Sequence, residues 1–319
     1  MRLPSVVLSA VRAGLLAGLL ALAAALPAAA QADQSWQTCV GPASSPEERH
    51  AGCSAVIAAG SEGGRRLAAA FCNRGHALTE KQDYDGAIAD LDQAIRLDPA
   101  YACSYNNRAR AFAFKGEIDR ALADYDEAIR LDPKFALAYN NRGDAWRRKG
   151  DLDRAIADFG TAIRLDANFA LAYDNRGFAF HARRDLARAA ADYDRAVALA
   201  PKDPMIYLRR GNVFRDMKKF DRAIVDYSEV IRLMPGDARG WRNRALIWLM
   251  KYDDDQGIAD YDQAIRLDPT DALSYNNRGH AHLAKGHRDK AIADFRKALE
   301  LRPGLADAVN GLKRLGAAP

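Results

Sequence analysis

Residues 136–169 read ALAYNNRGDAWRRKGDLDRAIADFGTAIRLDANF, and recognisable copies of this stretch recur along most of the 319-residue chain. An arginine marks the period, because it returns every 34 residues without insertion or deletion. The seven copies begin at residues 68, 102, 136, 170, 204, 238 and 272. A fixed period of this kind indicates an elongated repeat array, in which each unit buries its apolar face against its neighbours.

Large and small residues alternate at helical spacing within each copy. Position 4 is aromatic and position 8 is Gly or Ala, as in Tyr139 and Gly143, while positions 20 and 24 pair a small residue with a large one, as in Ala155 and Phe159. A spacing of four residues places two side chains on one helix face. Most copies end with proline at position 32, as at Pro133. Each copy therefore predicts two antiparallel helices that approach closely at the small residues.

This pattern resembles the tetratricopeptide repeat family, whose units carry the same series of aromatic, small and proline positions. The resemblance covers residues 68–305. It implies an all-α fold, a right-handed superhelical solenoid of antiparallel helix pairs whose first helices line a concave groove. The departures are Ala167 at position 32, Gly257 at position 20, His282 at position 11, and arginine instead of leucine at position 7 throughout.

We expect capping segments on both sides of the array, because its end faces would otherwise expose apolar surface. We expect residues 1–30 to be a signal peptide, residues 31–67 an N-terminal cap with a degenerate half repeat, and residues 306–319 a C-terminal capping helix. The repeats span residues 68–101, 102–135, 136–169, 170–203, 204–237, 238–271 and 272–305.

The signal peptide is predicted from its charge and hydropathy pattern. Arg2 and Arg12 precede the apolar run AGLLAGLLALAAAL, and small residues after Pro27 have the spacing that signal peptidase recognises. We expect cleavage after Ala30 or Ala32, export of the mature protein to a bacterial periplasm, and no membrane span after cleavage. An uncleaved anchor is the disfavoured alternative, since the run is shorter than the ~18 apolar residues of a spanning helix.

The charge balance argues against a nucleic-acid partner. The chain has 47 basic and 42 acidic residues, and both kinds are spread through every repeat. A nucleic-acid-binding surface would concentrate basic residues on one face.

Four cysteines in an exported chain call for a disulfide analysis. Cys39 and Cys53 flank the capping box that begins at Ser45, in a segment with little core of its own. We expect a disulfide there, closing a loop of about 15 residues. Cys72 and Cys103 lie on consecutive first helices, where a second bridge and two free thiols both remain open.

Two charged positions are constant in all seven repeats, Arg at position 7 and Asp at position 23. At about 100° per residue both lie to the same side of their packing faces. We expect structural ion pairs that fix helix register, with an arginine ladder for anionic ligands as the alternative. The arginines are Arg74, Arg108, Arg142, Arg176, Arg210, Arg244 and Arg278. The aspartates are Asp90, Asp124, Asp158, Asp192, Asp226, Asp260 and Asp294.

Position 6 points away from the packing face and carries asparagine in six repeats. Asparagine costs roughly 0.5 kcal/mol relative to alanine inside a helix, so its recurrence indicates a gain from another source. We call these residues the position-6 row. The row is Asn73, Asn107, Asn141, Asn175, Arg209, Asn243 and Asn277.

A row of carboxamides resembles the peptide-binding surface of several family members, which hold an extended chain by its backbone. Each carboxamide offers both donor and acceptor groups. Neighbouring groove residues differ between repeats, and we expect Asp144, Arg148, Phe178 and Met205 to select among peptide sequences. The alternative is that the asparagines bond neighbouring helices and hold the repeats in register.

The sequence predicts a non-catalytic scaffold that binds an extended peptide or protein tail, with no catalytic residue, cofactor or metal. His280, His282 and His287 lack the spacing of metal ligands. Two alternatives come from other classes. The first is a self-assembling envelope component, a homo-oligomer whose groove receives another copy. The second is an accessory to an envelope enzyme, although a catalytic role would need convergent acid and base groups in a closed pocket.

Overall fold

The computed structural model describes residues 28–60 and 63–318, so the apolar run of the predicted signal peptide lies outside the described residues. The described part contains helices and no strand, and the predicted all-α solenoid of helix pairs is confirmed. No helix within these ranges is long and apolar enough to cross a membrane. The helices are α1 (Ala28–Val40), α2 (Pro46–Ala59), α3 (Gly64–Glu80), α4 (Tyr84–Leu97), α5 (Ala102–Phe114), α6 (Ile118–Leu131), α7 (Ala136–Arg148), α8 (Leu152–Leu165), α9 (Ala170–Ala182), α10 (Leu186–Leu199), α11 (Pro204–Asp216), α12 (Phe220–Leu233), α13 (Ala238–Met250), α14 (Asp254–Leu267), α15 (Ala272–Ala284), α16 (Arg288–Leu301) and α17 (Ala306–Arg314).

The chain divides into two compact units after residue 133. Unit 1 contains α1 to α6, and unit 2 contains α7 to α17. Within each unit the two helices of a repeat pack together, and each second helix also packs on the next first helix. Successive first helices contact each other directly as well, at α7 with α9, α9 with α11 and α13 with α15 in unit 2. Successive first helices of the unit thus approach each other more closely than successive second helices do, as on the inner side of a curved stack.

The two helices of a repeat meet where a glycine faces a large residue. A Cβ atom added to Gly143 would lie 2.7 Å from the ring of Phe159, and one added to Gly211 would lie 2.7 Å from the ring of Tyr227. Both rings are fully buried. The predicted small and large positions 8 and 24 therefore lie in close contact between the two helices.

In four repeats an arginine stacks on an aromatic ring near the turn between the two helices. The guanidinium carbon of Arg120 lies 3.9 Å from the ring centroid of Phe112, and that of Arg222 lies 4.0 Å from Phe214. Arg154 on Trp146 and Arg188 on Phe180 repeat the contact. Such contacts stabilise by about 0.5–1 kcal/mol each at exposed sites.

The N-terminal segment differs from the predicted half repeat. The capping box at Ser45 is present, but an additional helix, α1, precedes it and packs on α2. The sequence of α1 is AAAQADQSWQTCV, and its apolar residues do not recur at a clear helical period, so this helix was not predicted. A disulfide between Cys39 and Cys53 joins the end of α1 to α2, with Cα atoms 4.6 Å apart. The predicted cleavage positions after Ala30 and Ala32 fall within α1.

At the C-terminal end of unit 2, α17 covers the last repeat. Leu312 is fully buried and packs with Phe295, while Lys313 and Arg314 are exposed. Its apolar side thus faces the array and its charged side faces solvent.

Candidate functional site

Each of the seven repeats holds a bidentate ion pair between its two helices. In the third repeat, Arg142 donates from Nε to Asp158 Oδ2 at 2.8 Å and from Nη2 to Asp158 Oδ1 at 2.7 Å. The other six repeats have the same arrangement, with distances from 2.6 to 2.9 Å. The structure brings together Arg74 and Asp90, Arg108 and Asp124, Arg176 and Asp192, Arg210 and Asp226, Arg244 and Asp260, and Arg278 and Asp294.

These aspartates are buried, with between 1% and 8% of each residue exposed. Burial raises the pKa of Asp226, while the bonds from Arg210 oppose the rise. A buried carboxylate without its arginine would remain uncompensated in a medium of low polarity. The Nε and Nη2 groups of each arginine therefore donate to carboxylate oxygens of the same repeat.

Four of these arginines also contact the preceding repeat, through a position that was not predicted from the sequence. Arg210 Nη1 donates to Asp194 at 2.9 Å, and Arg244 Nη1 donates to Ser228 at 2.9 Å. Arg108 with Asp92 and Arg278 with Asp262 show the same contact at 2.6 Å. The acceptors occupy position 25, two residues after the constant Asp, so their recurrence is visible in the sequence. Gly160 stands at this position opposite Arg176 and has no side chain to accept a bond.

The position-6 row also bonds to the preceding repeat. In unit 2, Asn175 Nδ2 donates to Asn140 Oδ1 at 3.0 Å, and Arg209 pairs with Asp174. In unit 1, Asn107 Nδ2 donates to Cys72 Sγ at 3.3 Å. In all three contacts the acceptor lies 35 residues earlier in the chain. These contacts give direct support to the alternative that the row holds the repeats in register.

Further members of the row make other contacts, one of them again to the preceding repeat. Asn277 Nδ2 donates to Tyr261 Oη at 3.0 Å, and Asn73 Nδ2 donates to a carbonyl of its own helix. Asn141 Oδ1 accepts from Asn140 Nδ2 at 3.4 Å. Asn243 is half-buried, and the residue 35 positions before it is the apolar Leu208. Since a carboxamide has two donor hydrogens and two acceptor lone pairs, the bond from Asn277 to Tyr261 leaves further hydrogen-bonding capacity on Asn277.

The predicted selectivity residues have different environments. Asp144 accepts bonds from Arg147 Nη2 at 2.5 Å and from Arg148 Nε at 2.8 Å, so one carboxylate holds two guanidinium groups on α7. Met205 packs partly against the core of the fourth and fifth repeats. Phe178 is exposed, and the guanidinium of Arg147 lies 5.2 Å from its ring centroid.

Exposed apolar side chains gather on the same side of the first helices in unit 2. Of the eight large apolar side chains that the described part of this unit leaves exposed, five occupy positions 2, 9 or 13, next to the position-6 row. We call them the apolar row, and they are Leu137, Leu171, Phe178, Met250 and Leu273. The other three, which lie elsewhere, are Leu165, Val225 and Tyr252.

Two of the three histidines near the end of unit 2, His280 and His282, are packing residues, whereas His287 is exposed. Burial lowers the pKa of both His280 and His282, and the ring of His280 meets the Phe295 ring edge-on at 4.9 Å. Among the described residues, no group of three or more metal-binding side chains comes together.

Comparisons with known proteins agree with this geometry. Sequence models of the tetratricopeptide repeat match residues 106–168, 148–204 and 272–305, and a TPR repeat model matches residues 75–116 and 253–286. These segments together include more than half of the chain. No curated protein matches the chain significantly.

Several solved structures share the fold. The chain resembles a crystal structure of the APC/C hetero-tetramer Cut9–Hcn1 with a TM-score of 0.60 and 18% identity, over 89% of this chain and 54% of the other. The C-terminal part of a TPR repeat-containing protein from Cytophaga hutchinsonii gives 0.63 and 18%, over 76% and 99%. YrrB, a TPR protein with an unusual peptide-binding site, gives 0.51 and 25%, over 58% and 95%. The chain belongs to the tetratricopeptide repeat family.

Proposed function

We propose that the protein is a non-catalytic scaffold and that unit 2 binds an extended peptide or protein tail along its first helices. The observation that carries the proposal is the apolar row. Several large apolar side chains left exposed on one face of a helix stack mark an interaction surface. Here they stand on the inner side of the stack, beside polar side chains that keep unused hydrogen-bonding capacity.

The spacing of the first helices suits an extended chain. Packed helices lie about 8–10 Å apart, and an extended peptide rises about 3.3 Å per residue. One repeat therefore spans about three peptide residues, so that successive repeats meet side chains at regular intervals. Leu137 on α7 and Leu171 on α9 occupy the same position of consecutive repeats and provide two such anchors.

The polar neighbours of these anchors favour contact with the peptide backbone. Asn175 uses one donor in its bond to Asn140, and its carbonyl oxygen is left to accept from a backbone N–H. The two roles are therefore compatible: the amide nitrogen of Asn175 holds the repeats in register, and its oxygen is available to a bound peptide. YrrB, whose structure is similar at 25% identity, has a peptide-binding site, which adds support from a related protein.

Export to a periplasm is part of the proposal. Its support is the leader-like pattern around Arg2 and Arg12, together with the disulfide between Cys39 and Cys53. Disulfides persist in oxidising compartments such as the bacterial periplasm and are rare in the cytosol. The partner would then be a peptide or flexible tail of another exported protein.

The test is a pair of matched substitutions. Peptides selected from a display library against the purified protein would be measured for affinity to wild type, Leu171→Asp and Val225→Asp. Leu171 is 49% exposed within the apolar row, and Val225 is 62% exposed on the second helix α12. Loss of one buried leucine contact is worth about 1.5–3 kcal/mol, so we expect Leu171→Asp to weaken binding roughly ten- to a hundredfold. Val225→Asp should bind like wild type, and equal affinity of all three proteins would contradict the proposal.

A further inference from the structure

Two free thiols lie close together in unit 1. Cys72 on α3 and Cys103 on α5 have their Sγ atoms 3.7 Å apart, and neither belongs to the disulfide of the same unit. The two helices that carry them are the first helices of consecutive repeats and contact each other directly. A disulfide requires an S–S distance of about 2.05 Å, so closure needs a relative movement of less than about 2 Å.

The two thiols differ in their access to solvent. Cys72 is fully buried and packs among the core residues Leu91 and Ala111, whereas Cys103 is half-buried at the surface. Asn107 Nδ2 points at both sulfurs, at 3.3 Å from Cys72 and 3.6 Å from Cys103. An oxidant from solvent therefore reaches Cys103 first.

The surroundings favour the thiolate form on the accessible cysteine. The hydrogen bond from Cys72 lowers the pKa of Cys103, with further lowering by Tyr101 and Asn107, while burial acts in the opposite direction. The same hydrogen bond, together with burial, raises the pKa of Cys72. Since the thiolate is the nucleophile in thiol–disulfide exchange, Cys103 is the attacking group and Cys72 the resolving group.

We propose that Cys72 and Cys103 form a dithiol modification site that closes to a disulfide by exchange with an oxidised thiol compound. The Cys103 thiolate attacks one sulfur of a small disulfide, forming a mixed disulfide and releasing one thiolate. Cys72 then loses its proton and attacks Cys103 Sγ, which releases the second thiolate. The protein loses two protons and two electrons, and the small disulfide takes them up as it is reduced to two thiols.

Closure links the first two repeats covalently. The bond would restrain the unfolded chain over the segment between α3 and α5, and so raise the midpoint of thermal unfolding. It would also remove the hydrogens of the two thiols that Asn107 Nδ2 contacts. The site lies within unit 1 and does not depend on peptide binding by unit 2.

The experiment uses glutathione disulfide as the probe. The purified wild-type protein, Cys72→Ser and Cys103→Ser would be equilibrated in buffers of increasing ratio of oxidised to reduced glutathione. Differential alkylation and peptide mapping by mass spectrometry would then report each cysteine. Circular dichroism would establish that the variants keep their helical content, and the wild-type measurement decides the proposal even where a variant does not fold.

We expect the wild type to lose two hydrogens and to yield a linked peptide containing Cys72 and Cys103. Cys72→Ser should carry one glutathione on Cys103, and Cys103→Ser should carry none on the buried Cys72. The proposal is overturned if the wild type keeps both thiols throughout. A glutathione adduct that persists on the wild type, or a link from either thiol to Cys39 or Cys53, would overturn it equally.

Discussion

Arg209 on α11 pairs with the buried Asp174 on α9 at the junction of the fourth and fifth repeats. At the preceding junction the same two positions hold Asn175 and Asn140, joined by an amide hydrogen bond of 3.0 Å. Both residues have changed together, from an amide pair to an ion pair, and the contact between the repeats is kept. The single interruption of the asparagine row is therefore a substitute contact of different chemistry.

Removing Arg209 is expected to destabilise unit 2 until its partner is also changed. Arg209→Ala leaves the Asp174 carboxylate buried at 4% exposure without its cation, at a cost of about 1–3 kcal/mol. The double variant Asp174→Asn with Arg209→Asn restores the amide pair of the preceding junction, and we expect it within about 1 kcal/mol of wild type. Urea unfolding followed by circular dichroism measures both, and a double variant less stable than Arg209→Ala would contradict this assignment.

The deficit of Arg209→Ala is expected to shrink in acid. Burial raises the pKa of Asp174, so the folded protein holds this proton more tightly than the unfolded chain does. Ionisation at neutral pH therefore costs stability, and protonation at low pH recovers it. Unfolding of the variant and the wild type should be compared at about pH 7 and about pH 4.5, near the usual carboxyl range. A deficit that grows toward acid would show the opposite linkage.

Buried and exposed ion pairs should differ in their effect on stability. Arg210→Met leaves Asp226 uncompensated at 1% exposure, and we expect a loss of about 3 kcal/mol. Lys251→Ala breaks the pair with the exposed Asp221, and we expect less than about 1 kcal/mol. Denaturant midpoints of the two variants, measured side by side, check the contrast. Equal losses would mean that burial does not set the value of the repeated pair.

Gly143 is expected to tolerate no side chain, because it packs directly against the Phe159 ring. Gly143→Ala would place a methyl group 2.7 Å from the buried Phe159 ring, for a cost of about 1–3 kcal/mol from overpacking. Gly160→Ala is the matched control, because it also lies in a helix but its nearest neighbour is an arginine nitrogen 3.5 Å away. There we expect a gain of about 0.5–1 kcal/mol from helix propensity. Thermal unfolding measures both, and a destabilising Gly160→Ala would contradict the packing argument.

The sequence predicts contacts inside a repeat better than contacts between repeats. Arg142 and Asp158 can be paired from helical angles alone, because both helices of a repeat share one short turn. The bond from Asn175 to Asn140 depends on how far each repeat rotates relative to the next, and one repeat does not contain that quantity. The helix α1 was not predicted for another reason. Its sequence has no strong apolar period, and the helix is stabilised by the disulfide and by packing on α2.

The candidate binding face was likewise predicted only in part. The direction of the position-6 row is visible from helical periodicity, and so is the variation of its neighbours. Which apolar side chains stay exposed depends on packing in three dimensions, as Phe178 and Met205 show. Both are apolar residues of the predicted groove, yet only Phe178 is exposed.

Site-specific photocrosslinking in cells that produce the protein natively tests binding along the apolar row most directly. A photoreactive amino acid would replace Leu171 in one variant and Val225 in another, since the two are exposed apolar residues on different helices of unit 2. We expect a discrete crosslinked partner from position 171, mapped by mass spectrometry to one extended segment, and none from position 225. A partner captured at position 225 and absent at position 171 would contradict the proposed binding face.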